Sequence, residues 1–341
     1  MARLSRWSLA CLAAISAGML GTSSLFGQAP LEVRPTHIIE LTAPDRPDKP
    51  PVITSIALGA GGEALVASGD DHVARLWDLR KRQWIRTLPG HRDWVRAVGI
   101  TTDGQYLATG ATDGVIQLWR TGQERPLAVL GDAPQAVFAL AFSPDNRLLA
   151  AGGFEARIAV YEVPSGRRPF VLDAAGKDVR TLAFSPDGKW LAAAGSGGKV
   201  RLFEVGASHA PRDLVGHRLR VSAVAWSLDG KLLASGGEDR SIVVWDTAAG
   251  QPAVSMPALP AKVASLAFCG ARRLAAGGSD DVIRIWELPS GREVRRLVGH
   301  TGTVAALVWD EASETLISAG YDTTLRLWSL NPPAGPMAAR P

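Results

Sequence analysis

Three groups of side chains in this sequence combine the residue types of hydrolytic catalysis. Each group has a histidine, a hydroxyl residue 18 positions later, an aspartate four positions further on and a tryptophan six positions after that. Imidazole, hydroxyl and carboxylate could form a nucleophilic triad. Because the same spacing occurs three times, whereas one active site would suffice, we interpret the groups as structural. They are His91, Thr109, Asp113 and Trp119; His217, Ser235, Asp239 and Trp245; and His300, Ser318, Asp322 and Trp328.

Paired acids and the remaining histidines offer other chemistry, but their positions favour structural roles. Adjacent carboxylates could bind a cation or act as acid and base, yet each pair falls in the same turn of a different sequence repeat. The six histidines lack the spacing of a zinc site, and no phosphate-binding loop or nucleophile elbow is present. We therefore predict no catalytic residue, no metal and no cofactor. The acid pairs are Asp70-Asp71, Glu238-Asp239 and Asp280-Asp281.

The charge balance and the cysteine content exclude further classes of protein. The 341-residue chain has a formal net charge of +4. Two of its 37 basic residues, Arg3 and Arg6, lie in the stretch 1–29, which carries no acid, so 35 basic and 33 acidic side chains remain beyond it. That balance is too weak for general nucleic-acid binding. The two cysteines exclude a disulfide scaffold, and 36 glycines with 11 tryptophans favour a turn-rich, all-β protein.

The stretch 1–29 is typical of a secretory signal peptide. Two positive charges precede an apolar run from Ser8 to Leu20, and a small-residue segment ends at Ala29. The run is shorter than the roughly 20 residues that a membrane-spanning helix needs. We expect cleavage after Ala29, with cleavage after Gly27 or an uncleaved signal anchor as alternatives. The sequence predicts export to a periplasm or out of the cell, no later membrane span, and a disordered tail over residues 331–341.

A repeat of roughly 40 residues, a length typical of internally repeated folds, runs through the rest of the chain. An aromatic residue ends a short apolar run at nearly constant intervals. Each unit contains four short runs whose alternation and β-branched residues predict strands, separated by turns such as Ser143–Asn146. Four short strands per unit is the spacing of a propeller blade. The aromatic residues are Trp77, Trp119, Tyr161, Phe203, Trp245, Trp286 and Trp328.

Two dipeptides that recur within this repeat are typical of one family. Trp-Asp ends two of the apolar runs, and Gly-His begins three of the units. With these motifs and seven units in register, the chain resembles the WD-repeat family over about residues 36–330. The resemblance implies an all-β, seven-bladed propeller of four-stranded antiparallel blades. The motifs are Trp77-Asp78 and Trp245-Asp246, and Gly90-His91, Gly216-His217 and Gly299-His300.

The resemblance also implies how the ring closes and what the three groups do. Residues 37–41 would form the outer strand of the last blade, paired with residues 324–330, which leaves no unpaired central edge. Within a blade, His, hydroxyl, Asp and Trp would form a buried chain of hydrogen bonds. Other units depart from the pattern: Tyr161 and Phe203 replace Trp, Gly197 replaces the turn Asp, and the sixth unit lacks Gly-His. We expect those blades to depend more on packing.

By the same resemblance, the loop after each Gly-His and the start of each inner strand lie on one face of the ring, around its channel. One arc of this face is rich in arginine and contains two aromatic residues, which are types enriched at interface hot spots. We predict that it binds a protein or peptide partner, and an anionic small ligand would also suit it. The alternative is a solvated charged rim. The predicted residues are Arg92, Asp93, Trp94, Arg96, Phe138, Arg180, Arg218 and Arg220.

The sequence therefore favours an exported, monomeric, non-catalytic scaffold for protein interactions. One alternative is a lactonase-like hydrolase with a ligand or metal in the channel, which would need several carboxylates or histidines at the channel mouth. Another is an accessory subunit of an envelope assembly, which differs only in its partner. The hydrolase alternative is disfavoured because the channel-facing position at the start of each inner strand is almost never a carboxylate or a histidine. These positions are Thr54, Arg96, Phe138, Arg180, Ser222, Ala264 and Ala305.

Overall fold

The computed structural model describes residues 29–40, 50–131, 133–174, 176–207 and 209–330. These residues form short strands joined by turns, with one 3-10 turn at Ala60–Gly62 as their helical element. The predicted signal peptide, up to residue 28, and the predicted tail therefore lie outside the described residues. The strands are β1 (Leu31–Val33), β2 (His37–Glu40), β3 (Ile53–Gly59), β4 (Ala64–Gly69), β5 (Ala74–Asp78), β6 (Gln83–Leu88), β7 (Val95–Ile100), β8 (Tyr106–Ala111), β9 (Ile116–Arg120), β10 (Ala128–Leu130), β11 (Val137–Phe142), β12 (Leu148–Gly153), β13 (Glu155–Glu162), β14 (Phe170–Asp173), β15 (Thr181–Phe184), β16 (Trp190–Ala194), β17 (Lys199–Glu204), β18 (Arg212–Val215), β19 (Val221–Trp226), β20 (Leu232–Gly237), β21 (Ile242–Asp246), β22 (Gln251–Val254), β23 (Val263–Cys269), β24 (Arg273–Gly278), β25 (Ile283–Glu287), β26 (Arg292–Leu297), β27 (Val304–Asp310), β28 (Thr315–Gly320) and β29 (Thr324–Ser329).

Apart from β1, these strands form seven antiparallel sheets of four strands, which are the blades of a β-propeller. Blade 1 is β3 to β6, blade 2 is β7 to β10, and the blades continue in fours along the chain as far as blade 7, which is β27 to β29 with β2. The inner strand of each blade contacts the inner strand of the next, and β27 contacts β3, so the ring is closed. The all-β, seven-bladed prediction is confirmed.

Strand β2 closes the ring, as the sequence predicted. It pairs antiparallel with β29, with His37 opposite Leu327 and Glu40 opposite Thr324. Just before it, the Thr36 backbone amide and hydroxyl both donate to the Leu327 carbonyl, at 2.8 and 2.9 Å. The first and last strands of the ring therefore belong to one sheet, and β29 has no open edge. The last residue of the predicted strand, Leu41, lies outside the described residues.

Strand β1 is an addition that the sequence did not predict. It pairs in parallel with β26 and makes the sixth blade five-stranded, with Leu31 opposite Arg295 and Val33 opposite Leu297. Val33 packs on the apolar cluster between blades 6 and 7, whereas Leu31 is exposed. A strand of three residues is too short to show period-two alternation. Sequence reasoning therefore missed β1 and placed the start of the propeller after it, at residue 36.

The core consists of seven apolar clusters, each lying between two neighbouring blades. The repeat aromatic of every blade is buried against the preceding blade: Trp119 packs against blade 1, for example, and Trp77 packs against blade 7. Close approach also needs small residues on the second strands. A Cβ added to Gly236 would lie 2.7 Å from Val263 of the next blade, and one on Gly277 would lie 2.6 Å from Val304. The sequence repeat thus places one large and one small residue at each of these blade junctions.

Candidate partner-binding face

The three groups of His, hydroxyl, Asp and Trp lie inside blades 2, 5 and 7, and their hydrogen-bonded networks are complete in blades 5 and 7. In blade 2, His91 Nδ1 lies 3.5 Å from Asp113 and has no hydrogen-bond partner among the described residues. In blade 7, the Trp328 indole donates to the Ser318 hydroxyl at 2.8 Å, and His300 Nε2 lies 2.7 Å from the same oxygen. His300 Nδ1 lies 2.8 Å from Asp322 Oδ2. Because a carboxylate only accepts, Nδ1 carries the hydrogen, and in the neutral ring Nε2 accepts from the hydroxyl. Blade 5 repeats this geometry with 2.8 Å at both hydroxyl contacts, and blade 2 has 2.8 and 3.1 Å.

The environment of the hydroxyls explains why the networks are structural. Thr109, Ser235 and Ser318 are each 0% exposed. Each hydroxyl oxygen accepts the indole hydrogen and bonds to the imidazole, so it is committed to two partners within its own blade. A nucleophile must reach a substrate carbonyl, and these oxygens are enclosed. Each Asp also accepts the backbone amide of the residue that follows the histidine, as Asp239 does from Arg218 at 3.0 Å.

Burial and hydrogen bonding shift the pKa values within the networks. Burial alone would raise the pKa of Asp322, but hydrogen bonds from His300, the Thr301 amide and Thr324 hold it well below its ordinary value. Burial lowers the pKa of His91, and Asp113, 3.5 Å from its Nδ1, offsets only part of that effect. Both shifts mean that the folded state binds fewer protons than the unfolded state as the solution is acidified.

We therefore expect stability to fall on acidification in two stages. Because His91 resists protonation when folded, its contribution is full above about pH 6.5, the ordinary histidine value, and is lost as the pH falls towards its lower folded pKa. The Asp322 contribution is full above about pH 4 and is lost below that. Proton NMR titration of the histidines tests the first stage: the His91 midpoint should lie below about 6.5. A midpoint above that value would contradict this assignment.

In blades 1 and 6, which have no Gly-His, the turn acid pairs with an arginine. Asp71 forms an ion pair with Arg75 at 2.5 Å, and Asp280 forms one with Arg284 at 2.7 Å. Arg75 is only 1% exposed. These ion pairs agree with the structural interpretation of the acid pairs, but sequence reasoning missed the partner. The sequence signal that could have identified the partner is an arginine four residues after the turn acid.

We predict that replacing Trp by Phe costs more in a blade with the network than in one without it. Trp245 and Trp286 are both fully buried, but Trp245 donates to Ser235 at 2.8 Å, whereas Trp286 Nε1 has no partner among the described residues. Trp245→Phe should therefore lower the free energy of unfolding by about 1–2 kcal/mol more than Trp286→Phe. Urea unfolding of both variants measures the difference, and equal losses would show that the indole hydrogen bond adds nothing.

At one end of the ring, the inner strands surround a cavity of about 300 Å³. We call this opening the channel mouth, and the end that carries it, with the Gly-His connections, the top face. All seven of the ring positions predicted from the repeat line the mouth, which therefore receives one side chain from every blade. Four further residues complete the lining: Arg220, Glu238, Thr303 and Tyr321.

Two arginines of the mouth lie against aromatic rings. The guanidinium carbon of Arg96 is 4.4 Å from the centre of the Trp94 ring, and that of Arg180 is 3.8 Å from the centre of Phe138. Such distances give a favourable cation–π interaction. Trp94 nevertheless remains 41% exposed. The rings therefore hold two guanidinium groups in place while leaving an indole surface open to solvent.

A buried acid, Asp178, ties two of the mouth arginines together. Its Oδ2 accepts from Arg180 Nε at 2.8 Å and lies 3.4 Å from Arg220 Nη2, while its Oδ1 accepts the Ser196 amide at 2.7 Å. Burial would raise the pKa of Asp178, but the bonds from Ser196 and Arg180 keep it below its ordinary value. Through its bond to Ser196, Asp178 links the segment before β15 to the turn in which Gly197 replaces Asp.

The structure brings together only part of the predicted binding set. Arg96, Phe138, Arg180 and Arg220 line the mouth, and Trp94 flanks it through Arg96. The exposed Arg92 and Arg218 and the half-buried Asp93 do not line it. Sequence reasoning missed two lining residues that a simple signal could have found. Glu238 and Tyr321 each directly follow the glycine that ends the second strand of a blade.

Neither a metal cluster nor a membrane helix occurs in the parts of the chain that the structure describes. No group of three or more His, Cys, Asp or Glu there is arranged to hold a metal ion. No helix there has the length and apolar character needed to cross a bilayer. At the mouth, the single lining carboxylate, Glu238, is engaged by Arg220 at 3.1 Å.

Comparison with known families agrees with the architecture. The chain belongs to the WD40-repeat family, whose propellers are generally non-enzymatic and bind protein partners. The longest unmatched stretch, residues 247–290, contains most of blade 6, which has no Gly-His. The family model, described as "WD domain, G-beta repeat", matches residues 41–78, 82–120, 124–162, 166–204, 210–246 and 291–329.

A shorter similarity links the chain to a named protein. It is 46% identical over 48 residues to Mitochondrial division protein 1 of Mycosarcoma maydis. That stretch is 14% of this chain and 6% of the fungal protein, so the chain spans only a small part of its relative. The shared length is close to that of one repeat.

Proposed function

We propose that this protein is a non-catalytic scaffold that binds a protein partner on its top face. The observation that carries the proposal is the pairing of Trp94 with Arg96 at the channel mouth. Neither side chain takes part in the blade networks, and Trp94 keeps 41% of its surface exposed. Trp and Arg are the residue types that most often dominate the energy of an interface.

The ring suits a binding role because its backbone is already fixed. Each blade junction is packed, and the connections of blades 2, 4, 5 and 7 on the top face are tied to their turns by Asp side chains. A preformed surface spends little free energy on ordering when a partner binds. The hydrolase alternative is less well supported, because the mouth presents three arginines and one carboxylate that is already bonded to Arg220.

Affinity capture from cell extract tests this proposal with matched variants. The double variant Trp94→Ala, Arg96→Glu should lose a partner that the wild-type protein captures. Trp84→Ala is the control, because Trp84 is equally exposed at 41% but lies on the outer strand β6, next to the opposite end of the blade. Equal capture by the double variant, once its urea unfolding is shown to be normal, would place the site elsewhere and overturn the proposal.

We also propose that the protein acts outside the cytoplasm, as the stretch 1–29 suggests. The succession of two arginines, an apolar run and small residues supports a cleaved signal. A partner would then be met in an extracytoplasmic compartment, and an envelope assembly would be one setting. N-terminal sequencing of the protein recovered from fractionated cells tests this. A mature chain that begins near residue 30 is expected, and an intact Met1 in the cytoplasmic fraction would contradict export.

A further inference from the structure

We propose that the channel mouth binds one carboxylate, an Asp or Glu side chain presented by the partner. This inference rests on the proposed function and adds the chemistry that the site recognises. The mouth contains three arginines, Arg96, Arg180 and Arg220, and a single acid, Glu238. The buried Asp178 lies behind them and contacts two of the three. Three positive and two negative groups leave one uncompensated positive charge.

Unused hydrogen-bond donors point to the same site. Nε of Arg96 and Nε of Arg220 are shielded from solvent, and neither has a partner among the described residues. Buried polar atoms in proteins are nearly always hydrogen-bonded. Arg180 differs, because its Nε already donates to Asp178 at 2.8 Å. Because both Nε atoms are covered, a carboxylate in the mouth would meet the outer nitrogens of Arg96 first, for which no described residue is a partner, and it offers several acceptor sites on two oxygens.

The charge balance favours a carboxylate over more highly charged ligands. A single carboxylate matches the one uncompensated charge, whereas a phosphate dianion would bring a second negative charge beside Asp178 and Glu238. A nucleic acid would bring many more in a row. Planar guanidinium groups also match a planar carboxylate geometrically. Here the Trp94 and Phe138 rings fix two of those planes before any ligand arrives.

The shape of the mouth shows where the rest of the partner would lie. The bulky ring positions are contiguous, in blades 2, 3 and 4, and the positions in the other four blades are small. Blades 1 and 6 contribute only Thr54 and Ala264 to the lining, so an acidic side chain that reaches the arginines has space on that side for the backbone that carries it. The small positions are Thr54, Ser222, Ala264 and Ala305.

NMR titration of the ¹⁵N-labelled protein with small probes tests this site directly. The probe is N-acetyl-glutamic acid α-amide, which has one negative charge, and its neutral match is N-acetyl-glutamine α-amide. We expect the glutamate probe to shift the Nε–H signals of Arg96 and Arg220 with a dissociation constant of about 1–10 mM. The glutamine probe should leave them unchanged. Arg96→Gln should weaken glutamate binding at least about tenfold, a loss that one charged group commonly causes.

Control variants and a third probe give each outcome a meaning. Arg147→Gln, an exposed residue in a turn at the opposite end of the ring, should bind the glutamate probe normally. The inference is overturned if glutamate causes no shift, if glutamine shifts the same signals, or if N-acetyl-phosphoserine α-amide binds about tenfold more tightly than glutamate. Loss of carboxylate binding while partner capture still depends on Trp94 would leave the proposed function intact and remove only this inference.

Discussion

Replacing Trp328 by Ala is expected to lower the free energy of unfolding by about 3–5 kcal/mol, the range for truncating a buried Trp. Trp328 is 0% exposed and packs between blades 6 and 7, where its loss leaves a large cavity. Its indole also donates to Ser318 at 2.8 Å, so the variant leaves that network incomplete. Urea unfolding measures the effect as a lower midpoint with an unchanged slope.

Trp84→Ala is the matched control for this prediction. Trp84 is 41% exposed on the outer strand β6, so its removal should change the free energy of unfolding by less than about 1 kcal/mol. If Trp328→Ala costs no more than Trp84→Ala, the buried aromatics do not hold the blade junctions together, and the packing account is wrong.

Placing a charge at Ile39 should release the strand that closes the ring. Ile39 packs against the apolar cluster between blades 7 and 1, and β2 is the outer partner of β29. Ile39→Asp removes apolar burial and brings a carboxylate into that contact, which should cost about 2–3 kcal/mol. The freed edge of β29 should also promote self-association. Urea unfolding and light scattering measure the two effects.

The neighbouring residue provides a control on the same strand. Ile38 is 53% exposed because successive side chains of a strand point to opposite faces. Ile38→Asp should therefore change stability by less than about 0.5 kcal/mol and leave the protein monodisperse. If both substitutions lower the free energy of unfolding equally, the burial of Ile39 is not what holds β2 in place.

The ring could be predicted from sequence because its determinants repeat at a nearly fixed interval. The aromatic at the end of each third strand packs against the previous blade in all seven cases, so the need for packing at every junction appears as a regular period in the sequence. The closing strand β2 was also predictable, because the last unit lacked an outer strand of its own. The same reasoning could not find β1, since so short a strand carries no periodic pattern.

The details of the top face were less accessible from the sequence. The repeat gave the seven ring positions correctly, because equivalent positions in each blade face the channel. It did not give the partners of those side chains: Asp178 contacts Arg220 of the neighbouring blade, one full repeat further along the chain. Such a contact depends on side-chain conformation and on an exception to the repeat, Gly197. The exceptions to the pattern are therefore where the site-specific chemistry lies.

The most direct test of a partner-binding top face is site-specific photo-cross-linking in living cells. A photoreactive phenylalanine analogue placed at Trp94 samples the top face, and the same analogue at Trp84 samples the outer strand, with equal exposure of 41% at both positions. We expect the position-94 protein to form a discrete cross-linked species with a partner and the position-84 protein to form none. Cross-linking at position 84 alone would contradict a partner-binding top face.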